Sequence, residues 1–322
     1  MVFGLALAVA FALRASLAHA GPVVDRIRAE GVIRCGGASR PGLVGRSPDG
    51  REASGLYLDL CRAIGAALLG PEGRIEFRPY DSDRAFDRVR NGADDLSFVD
   101  GSEILDQKLA GRTIPGPPVV FVSTAAMVPE NSPIKSLADL GGKGVCFYQG
   151  SNAHRNLEAW MAAHRLDFVR MGYMEYVELY DAYDAGVCEA QVGEIGDLAV
   201  ARLTAKAPES RILSEPLATF PVFAVTPASD PQWLAIVAWA VYALQRAELR
   251  ATAWTAGGLG SLPIEARELG LAADWQARVV RAAGTYADIF ARNLGERSKL
   301  KLPRGPNAPV EAGGRFATPF RE

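Results

Sequence analysis

The sequence predicts an α/β protein with two lobes on either side of a cleft. Segments with strand-like and helix-like patterns alternate along the chain, and two long extended runs occur near 119–128 and 219–226. Between those runs the alternation restarts. Alternating strands and helices are typical of a mostly parallel sheet covered by helices. We therefore predict two α/β units joined by two extended hinge segments.

The first unit begins with a strand, "VIRCGGAS", that enters a glycine-rich turn. Leu56, Leu60, Ile64 and Leu68 then recur every four residues, which marks one face of a helix. Gly70 follows at the place of a C-cap. A strand, a short helix and a further strand are predicted in "RIEFRPY", "RAFDRVRNG" and "DDLSFV".

The second unit lies between the hinge segments, so the chain leaves the first unit, builds the second and returns. We predict lobe I over 21–122 and 223–322, including the C-terminal tail, and lobe II over 123–222. The tail 295–322 is predicted to wrap the surface. Ligands of open α/β sheets bind at the carboxyl ends of the strands, which places the binding site in the cleft between the lobes.

The composition limits the class of protein. The chain has 322 residues, of which 49% are hydrophobic and 22% charged, so it is able to bury a sizeable core. A net charge of −2 gives no electrostatic reason to bind nucleic acid or an anionic membrane. We interpret the small basic patch of Lys299, Lys301 and Arg304 as part of a solvated tail.

The N-terminus resembles an export signal. Its first 20 residues form an apolar run that ends in Ala18-His19-Ala20, an A-x-A-like cleavage site. The run is too short to span a membrane. It lacks the usual basic start, and Arg14 interrupts it. We predict a signal peptide over 1–20 and a periplasmic location, with a frayed N-terminal helix as the alternative.

The chain has four cysteines, and an even number in an exported protein favours disulfides. Four cysteines allow three connectivities. The sequence contains no CxxC pair, no HExxH, no nucleophile elbow, no P-loop and no complete dinucleotide-binding fingerprint. We therefore predict no metal site, no cofactor and no catalytic residue.

An ordered series of motifs resembles the family-3 periplasmic solute-binding proteins of amino-acid ABC transporters, in particular their general L-amino-acid branch. The likeness runs from about residue 25 to the C-terminus. It includes a strand ending in Cys-Gly, a G-x-x-x-D-x-C-R-A helix and a later phenylalanine-to-aspartate element. The matching residues here are Cys35-Gly36, Gly55, Asp59, Cys61-Arg62-Ala63, Phe86, Val89, Gly92 and Asp95.

The resemblance implies a monomeric, hinge-closing receptor with a fold similar to type II binding proteins. It also implies an ABC permease in the inner membrane as partner and a small polar solute as ligand. It suggests a disulfide between Cys146 and Cys188 in lobe II. Cys35 and Cys61 lie in neighbouring elements of lobe I, where a disulfide and a buried free pair both remain open.

The resemblance assigns four positions of lobe I to the ligand site. Relatives grip the ligand's α-carboxylate with an arginine, whose planar fork matches that group, but this chain has Gln107 at the position. Two hydroxyl positions before it are Gly101 and Ser102. An aromatic residue that packs on the ligand corresponds to a position at or near Val44.

In lobe II, a run of threonines at a helix start corresponds to Ser151, Asn152 and Ala153. The acid that takes the α-ammonium corresponds to Glu194, which keeps its charge. Ser151 is also predicted to cap the helix 152–164.

Asp100 allows two interpretations. With Glu103 three residues later it forms a capping-box-like helix start, and it also lies where a side chain contacts the cleft. The two roles are compatible.

Asp100 would repel a carboxylate. Arg40 or Arg46 in the first loop could replace the missing cation, with Arg40 favoured because it follows the strand end more closely, and Lys108 could do so if the register shifts by one. The pattern argues against tight binding of an ordinary α-amino acid and fits a cationic or neutral polar ligand held by Asp100 and Glu194.

Three functions are compatible with these observations. The first is the substrate-binding component of an ABC transporter for an amino acid or a related small polar solute. The second is a periplasmic accessory protein with a degenerate receptor pocket. The third is a dehydratase-like enzyme on the same fold, for which Asp100 and Glu194 are the only candidate acid–base pair.

Overall fold

The structure is a computed structural model that describes residues 21–46, 53–80, 85–106, 112–204, 209–249 and 266–317. The predicted signal segment 1–20 and Gln107 lie outside these ranges. No helix in the described ranges is long and apolar enough to cross a membrane.

The described strands are β1 Val32–Ala38, β2 Gly45–Arg46, β3 Ala53–Ser54, β4 Arg74–Tyr80, β5 Leu96–Asp100, β6 Thr113–Pro129, β7 Gly144–Tyr148, β8 Val169–Tyr173, β9 Ala190–Glu194, β10 Ser210–Ile212 and β11 Ala218–Pro227. The helices are α1 Pro22–Glu30, α2 Leu56–Leu69, α3 Ala85–Arg90, α4 Gly101–Asp106, α5 Asn152–Ala163, α6 Tyr176–Asp184, α7 Ile195–Thr204, α8 Pro231–Leu249, α9 Trp275–Ala283 and α10 Tyr286–Asn293.

Nine of the described strands form one mixed sheet in the order β4-β1-β5-β11-β6-β9-β7-β8, with β10 beside β6. The outer strands pair in parallel, β1 with β4 and β5, and β7 with β8 and β9. The two central strands β6 and β11 pair antiparallel with each other and with the units they join. The predicted extended segments 119–128 and 219–226 therefore lie in two long strands that connect two parallel α/β units.

The first unit has a large apolar core. Its buried residues come from 24–122 and 222–316, with Ala199 of α7 added from the other unit. Helix α2 is buried along almost its whole length, because its sequence is apolar on nearly every face. It packs on β1 and contacts α8, α9 and α10. The return of the chain after β11 thus supplies helices that cover α2.

The second unit has one apolar cluster on each side of its sheet. Leu157 and Met161 of α5 pack with Val145 and Phe147 of β7 on one side. Leu179 of α6 and Leu198 of α7, among others, pack on the opposite side. Both units therefore have their own cores, as a two-lobed fold requires. The predicted lobe boundaries at 122/123 and 222/223 fall within β6 and β11, and they stay a prediction.

Both cysteine pairs are disulfides, and each stays within one lobe. Cys35 of β1 bonds to Cys61 of α2, with their Cα atoms 6.6 Å apart. Cys146 of β7 bonds to Cys188, with a Cα separation of 5.8 Å. The pairing that the resemblance implied in lobe II is therefore present, and the open choice in lobe I is resolved as a disulfide. Neither bond restricts movement between the lobes.

The C-terminal tail holds the hinge rather than only wrapping the surface. The buried Asn307 side chain accepts a hydrogen bond from the Phe121 N–H at 2.7 Å and donates one to the Phe121 carbonyl at 2.9 Å. Tyr286 donates to the Val119 carbonyl at 2.8 Å. Because both contacts are made to β6, the tail and α10 fix one face of a hinge strand.

Arg304 is not the solvated residue that its charge suggested. Its guanidinium donates to both oxygens of Glu248 at 3.0 Å, and it lies 5.1 Å from the ring centre of Phe290. Guanidinium groups stack on aromatic faces more readily than ammonium groups do. A basic residue in a polar tail is therefore used to attach the tail to lobe I.

Replacing Asn307 with alanine is expected to lower the free energy of unfolding by about 1–3 kcal/mol, because it leaves the N–H and C=O of Phe121 without these partners. Urea denaturation measures the change. The control is Glu311→Gln, an exposed change in the same tail that is expected to stay within about 0.5 kcal/mol of the parent. Equal stability of the two variants would contradict a stabilising role for the hydrogen bonds between Asn307 and Phe121.

Thiol titration of the unreduced, denatured protein is expected to find no free thiol among Cys35, Cys61, Cys146 and Cys188. The double variant Cys146→Ser/Cys188→Ser is expected to lose about 2–4 kcal/mol of stability, because an open loop gives the unfolded chain more freedom. Reactive thiols in the oxidised protein would show that the bonds do not form.

Candidate functional site

Four chain segments meet at the cleft because the strands of the two units run in opposite directions, so that the carboxyl ends of β1 and β5 face those of β7 and β9. Strand β1 is followed by Ser39 and Arg40, β5 ends at Asp100, β7 ends at Tyr148 and β9 ends at Glu194. The first two belong to lobe I and the last two to lobe II. The cleft is therefore lined by residues that are far apart in the sequence.

Arg40 joins the two lobes. Its Nη1 atom lies 3.2 Å from Asp100 Oδ2 within lobe I and 3.2 Å from Glu194 Oε2 across the cleft. The three side chains are largely shielded, with 19%, 8% and 28% of their surfaces exposed, respectively. A guanidinium carries five donors, so it is suited to serve two carboxylates at once. The arrangement is an acid–base–acid bridge, here called the Arg40 bridge.

The partly shielded position of Glu194 in the Arg40 bridge changes its pKa. Burial raises the pKa of Glu194 to about 7, although the Arg40 charge opposes the shift. The nearby carboxylates of Asp197 and Asp100 add to the increase. Arg40 itself remains charged: burial disfavours its cation, but attraction to Glu194 and Asp100 outweighs that effect and raises its pKa. Glu194 thus titrates close to neutral pH.

Two glycines in β1 make room for aromatic rings beneath the Arg40 loop. A Cβ atom at Gly36 would overlap the ring of Tyr80, and one at Gly37 would lie 2.6 Å from Tyr57 Cδ2. Tyr57 in turn stacks on Phe98 with ring centres 4.5 Å apart. The glycine pair after Cys35 therefore serves close packing of the strand on these rings.

Two cavities adjoin at the Arg40 bridge. The hinge-side cavity has a volume of about 280 Å³ and is formed by Asp100, Val122–Thr124, Asn152–Ala153, Arg155–Asn156, Glu194 and Phe220. The tyrosine-lined cavity is larger, about 1010 Å³, and is formed by Ala38–Arg40, Tyr80, Tyr148, Tyr176, Tyr180, Glu194 and Asp197. Glu194 lines both cavities, so the bridge lies where they meet.

The start of α5 forms part of the hinge-side cavity. Ser151 caps this helix, since its hydroxyl accepts a hydrogen bond from the His154 N–H at 3.1 Å. One turn later, Asn156 donates to the Thr124 hydroxyl of β6 at 2.8 Å. The helix start is therefore anchored to a hinge strand. Helix N-termini favour anions, because their first N–H groups have no partner within the helix.

The predicted site residues fall into three groups. Arg40, Asp100 and Glu194 are in contact, and Asn152 lines the hinge-side cavity with two of them. Val44 is 6% exposed within the lobe I core and lines neither cavity. Ser102 occupies the first turn of α4, and Gln107 lies outside the described residues. The ligand roles of all these residues stay predictions.

Most residues of the tyrosine-lined cavity were not predicted from the sequence. Tyr148 is the last residue of β7, and Tyr176 and Tyr180 lie one turn apart at the start of α6. Asp197 lies in the first turn of α7, three residues after Glu194. The position at strand ends and helix starts was a usable signal for Tyr148 and Asp197. The same signal applied to Tyr176, the first residue of α6, whereas none marked Tyr180.

We expect Glu194→Gln to change how stability depends on pH. The ordinary pKa of this carboxyl is 4.5 and its folded pKa is about 7, so between these values the folded protein binds more protons than the unfolded chain. Stability from this group is therefore present below about pH 4.5 and is lost as the pH rises through 7.

Urea denaturation of both proteins at pH 5 and pH 8 measures the effect. The parent is expected to lose stability relative to Glu194→Gln between these pH values. An unchanged difference between the two proteins would contradict the raised pKa.

Comparison with known proteins shows which proteins the chain is similar to. No family model matches the chain. It is 28% identical over 333 residues to the general L-amino acid-binding periplasmic protein AapJ of Rhizobium johnstonii, covering 98% of this chain and 97% of that protein. It is 26% identical over 339 residues to the putative amino-acid ABC transporter-binding protein YhdW of Escherichia coli, covering 100% and 99%.

A solved structure has a similar fold. An ABC transporter periplasmic binding protein from Brucella ovis, with glutathione bound, superposes with a TM-score of 0.74 at 24% identity. The superposition covers 93% of this chain and 99% of that one. Over nearly its whole length the chain is therefore similar to periplasmic binding proteins named for amino-acid transport, and it has the two-lobed fold of the solved structure.

Proposed function

We propose that this protein is the periplasmic substrate-binding component of an ABC transporter and binds an amino acid or a related small polar solute between its lobes. The observation that carries the proposal is the Arg40 bridge, which places charged groups from both lobes around one point of the cleft. The names of the relatives support this function.

The bridge suggests how a zwitterion binds. A solute ammonium replaces the guanidinium between Asp100 and Glu194, while the solute carboxylate takes the released Arg40. The exchange keeps every buried charge paired, which is necessary because an unpaired buried ion is costly. A guanidinium also forms bidentate hydrogen bonds to a carboxylate. Arg40 thereby does the work that Gln107 is not able to do with neutral donors.

The start of α5 offers a second contact for the carboxylate. Ser151 and Asn152 lie at its N-terminus, and Asn152 lines the hinge-side cavity together with Asp100 and Glu194. Ser102 at the start of α4 contributes from lobe I in the same proposal. A solute held by both lobes stabilises the closed form, because it has fewer partners when the lobes separate.

We also propose where the protein acts and with which partner. A signal peptide over 1–20 exports the chain to the periplasm, where both disulfides form and persist. The protein acts as a monomer and delivers its solute to an ABC permease in the inner membrane. It uses no cofactor and binds no nucleic acid.

Isothermal titration calorimetry against L-amino acids, amines and small organic acids tests the function. We expect saturable binding of at least one solute of this kind, with a Kd in the micromolar range. Arg40→Gln is expected to weaken a carboxylate-bearing solute by at least roughly tenfold, because about 1.4 kcal/mol of lost interaction has that effect.

The matched control is Arg170→Gln, which removes an arginine paired with Glu158 and Asp167 away from the cleft. This variant is expected to bind like the parent. Failure of every solute to bind the parent would overturn the proposed function. Strong weakening by Gln107→Ala but not by Arg40→Gln would move the carboxylate contact back to position 107.

A second candidate is a periplasmic accessory protein with a degenerate receptor pocket. The observation that favours it is again the Arg40 bridge, since the cleft already contains a cation between its two acids. In that case no solute binds, and small-angle scattering shows a closed shape in its absence. Arg40→Gln would then open the protein.

A dehydratase-like activity has less support. An acid–base pair requires groups free to exchange protons with a substrate, whereas Asp100 and Glu194 both contact Arg40. The curated relatives are named as binding proteins. Nuclear magnetic resonance of any bound solute, before and after incubation with the protein, would reveal a product if the protein were an enzyme.

A further inference from the structure

The tyrosine-lined cavity is larger than an amino-acid head group requires. At about 1010 Å³ it reaches the upper end of small-molecule pockets, which range over roughly 300–1,000 Å³. The contacts proposed above use only its edge, at Arg40 and Glu194. Its opposite portion is formed by Tyr148, Tyr176 and Asp197, for which the proposed function gives no role.

We propose that this portion is a subsite for the cationic end of the solute, in which a planar, delocalised cation lies against the tyrosines and pairs with Asp197. The inference rests on the proposed function and specifies the solute as one of net positive charge. The subsite belongs to lobe II, and it is distinct from the contacts that hold the solute's ammonium and carboxylate.

Charge balance is the first argument. Around the hinge-side cavity, the two acids Asp100 and Glu194 are matched by Arg40 and Arg155. Asp197 adds a third carboxylate at the tyrosine-lined cavity, and it makes no hydrogen bond or ion pair with the described residues. Among the described residues the combined site therefore has more carboxyl groups than basic side chains.

Burial strengthens the attraction between the Asp197 carboxylate and a cation. Burial raises the pKa of Asp197, with Arg40 opposing the shift, so its surroundings provide too little compensation for its charge. The two α6 tyrosines sense the same charge, since burial and then Asp197 raise the pKa of Tyr176 and of Tyr180. Asp197 and the tyrosines therefore act on one enclosed region, where a cation is stabilised more than in water.

The aromatic wall is the second argument. Tyr148 and Tyr176 stack with ring centres 4.4 Å apart and an angle of 10° between their planes, and Tyr180 follows with its centre 5.9 Å from that of Tyr176. Tyr176 remains 46% exposed in this structure. Tyrosine rings attract cations within about 6 Å of their centres, and planar cations also stack on them. An acidic or purely aliphatic end would lack these contacts.

Lobe I closes the opposite side of the cavity with Tyr80. Its hydroxyl is hydrogen-bonded to the Ser97 hydroxyl at 2.6 Å, and Gly36 allows the ring to lie on β1. The subsite is thus bounded by aromatic rings from both lobes. A solute that reaches it contacts both lobes at a second point, in addition to the Arg40 bridge.

Calorimetry with L-arginine and L-citrulline tests the subsite, because the two solutes have nearly the same shape and differ in the charge of the terminal group. We expect L-arginine to bind the parent at least roughly tenfold more tightly than L-citrulline, which corresponds to about 1.4 kcal/mol. Asp197→Asn is expected to bring the ratio of the two affinities close to one, because it weakens only the binding of L-arginine. Tyr176→Leu is expected to weaken L-arginine.

The matched control is Glu178→Gln, which removes one negative charge from an exposed position on the helix that carries Tyr176. It is expected to leave the ratio of the L-arginine and L-citrulline affinities unchanged. An effect of net charge is thereby separated from an effect of Asp197 itself. Thermal unfolding of each variant checks that the fold is intact.

Four results would overturn the subsite. L-citrulline binding as tightly as L-arginine removes the need for a cation, and a preference that persists in Asp197→Asn assigns it to another group. If neither solute binds while a neutral or acidic amino acid does, the subsite is wrong and the proposed function stands. If no solute of any class binds, the proposed function fails and the subsite with it.

Discussion

Arg40 donates to Asp100 in its own lobe and reaches Glu194 in the other, and the organisation of the cleft depends on these two contacts. Each of the three groups is shielded enough that none is stable there without the others. The bridge therefore sets where charged parts of a solute are able to enter. It also gives the two lobes a direct contact at the point where a transported solute would hold them together.

The bridge acts within a continuous sheet. Strands β6 and β11 pair with each other and with both units, so any change in the angle between the lobes must twist these two strands. Asn307 and Tyr286 bind one of them from lobe I, and Arg202 of α7 donates to the Leu300 carbonyl of the tail at 2.9 Å. The tail thus contacts the hinge and lobe II together.

The carboxyl ends of parallel strands explain why ordinary residues form this site. No motif in the chain indicates catalysis or metal binding. The charged residues gather because β1 and β5 of one unit end facing the end of β9 of the other, and the tyrosines because β7 also ends there and α6 begins beside it. The make-up of the cleft therefore depends on position in the sheet rather than on a local signature.

Much of the fold followed from local patterns. The four-residue spacing of Leu56 to Leu68 predicted α2, the extended runs predicted both hinge strands, and the motif series predicted the Cys146–Cys188 bond. Arg40 was favoured as the replacement cation because it follows the end of β1. The inferences about helices and strands succeeded because secondary structure depends on neighbouring residues, whereas the ligand role of Arg40 stays a prediction. The sequence by itself therefore determined the α/β class and most of the strands and helices of the two units. The tertiary structure alone decided the Arg40 bridge, the tyrosine wall and the tail's grip on Phe121, because each joins residues that are distant in sequence and carry no periodic signal.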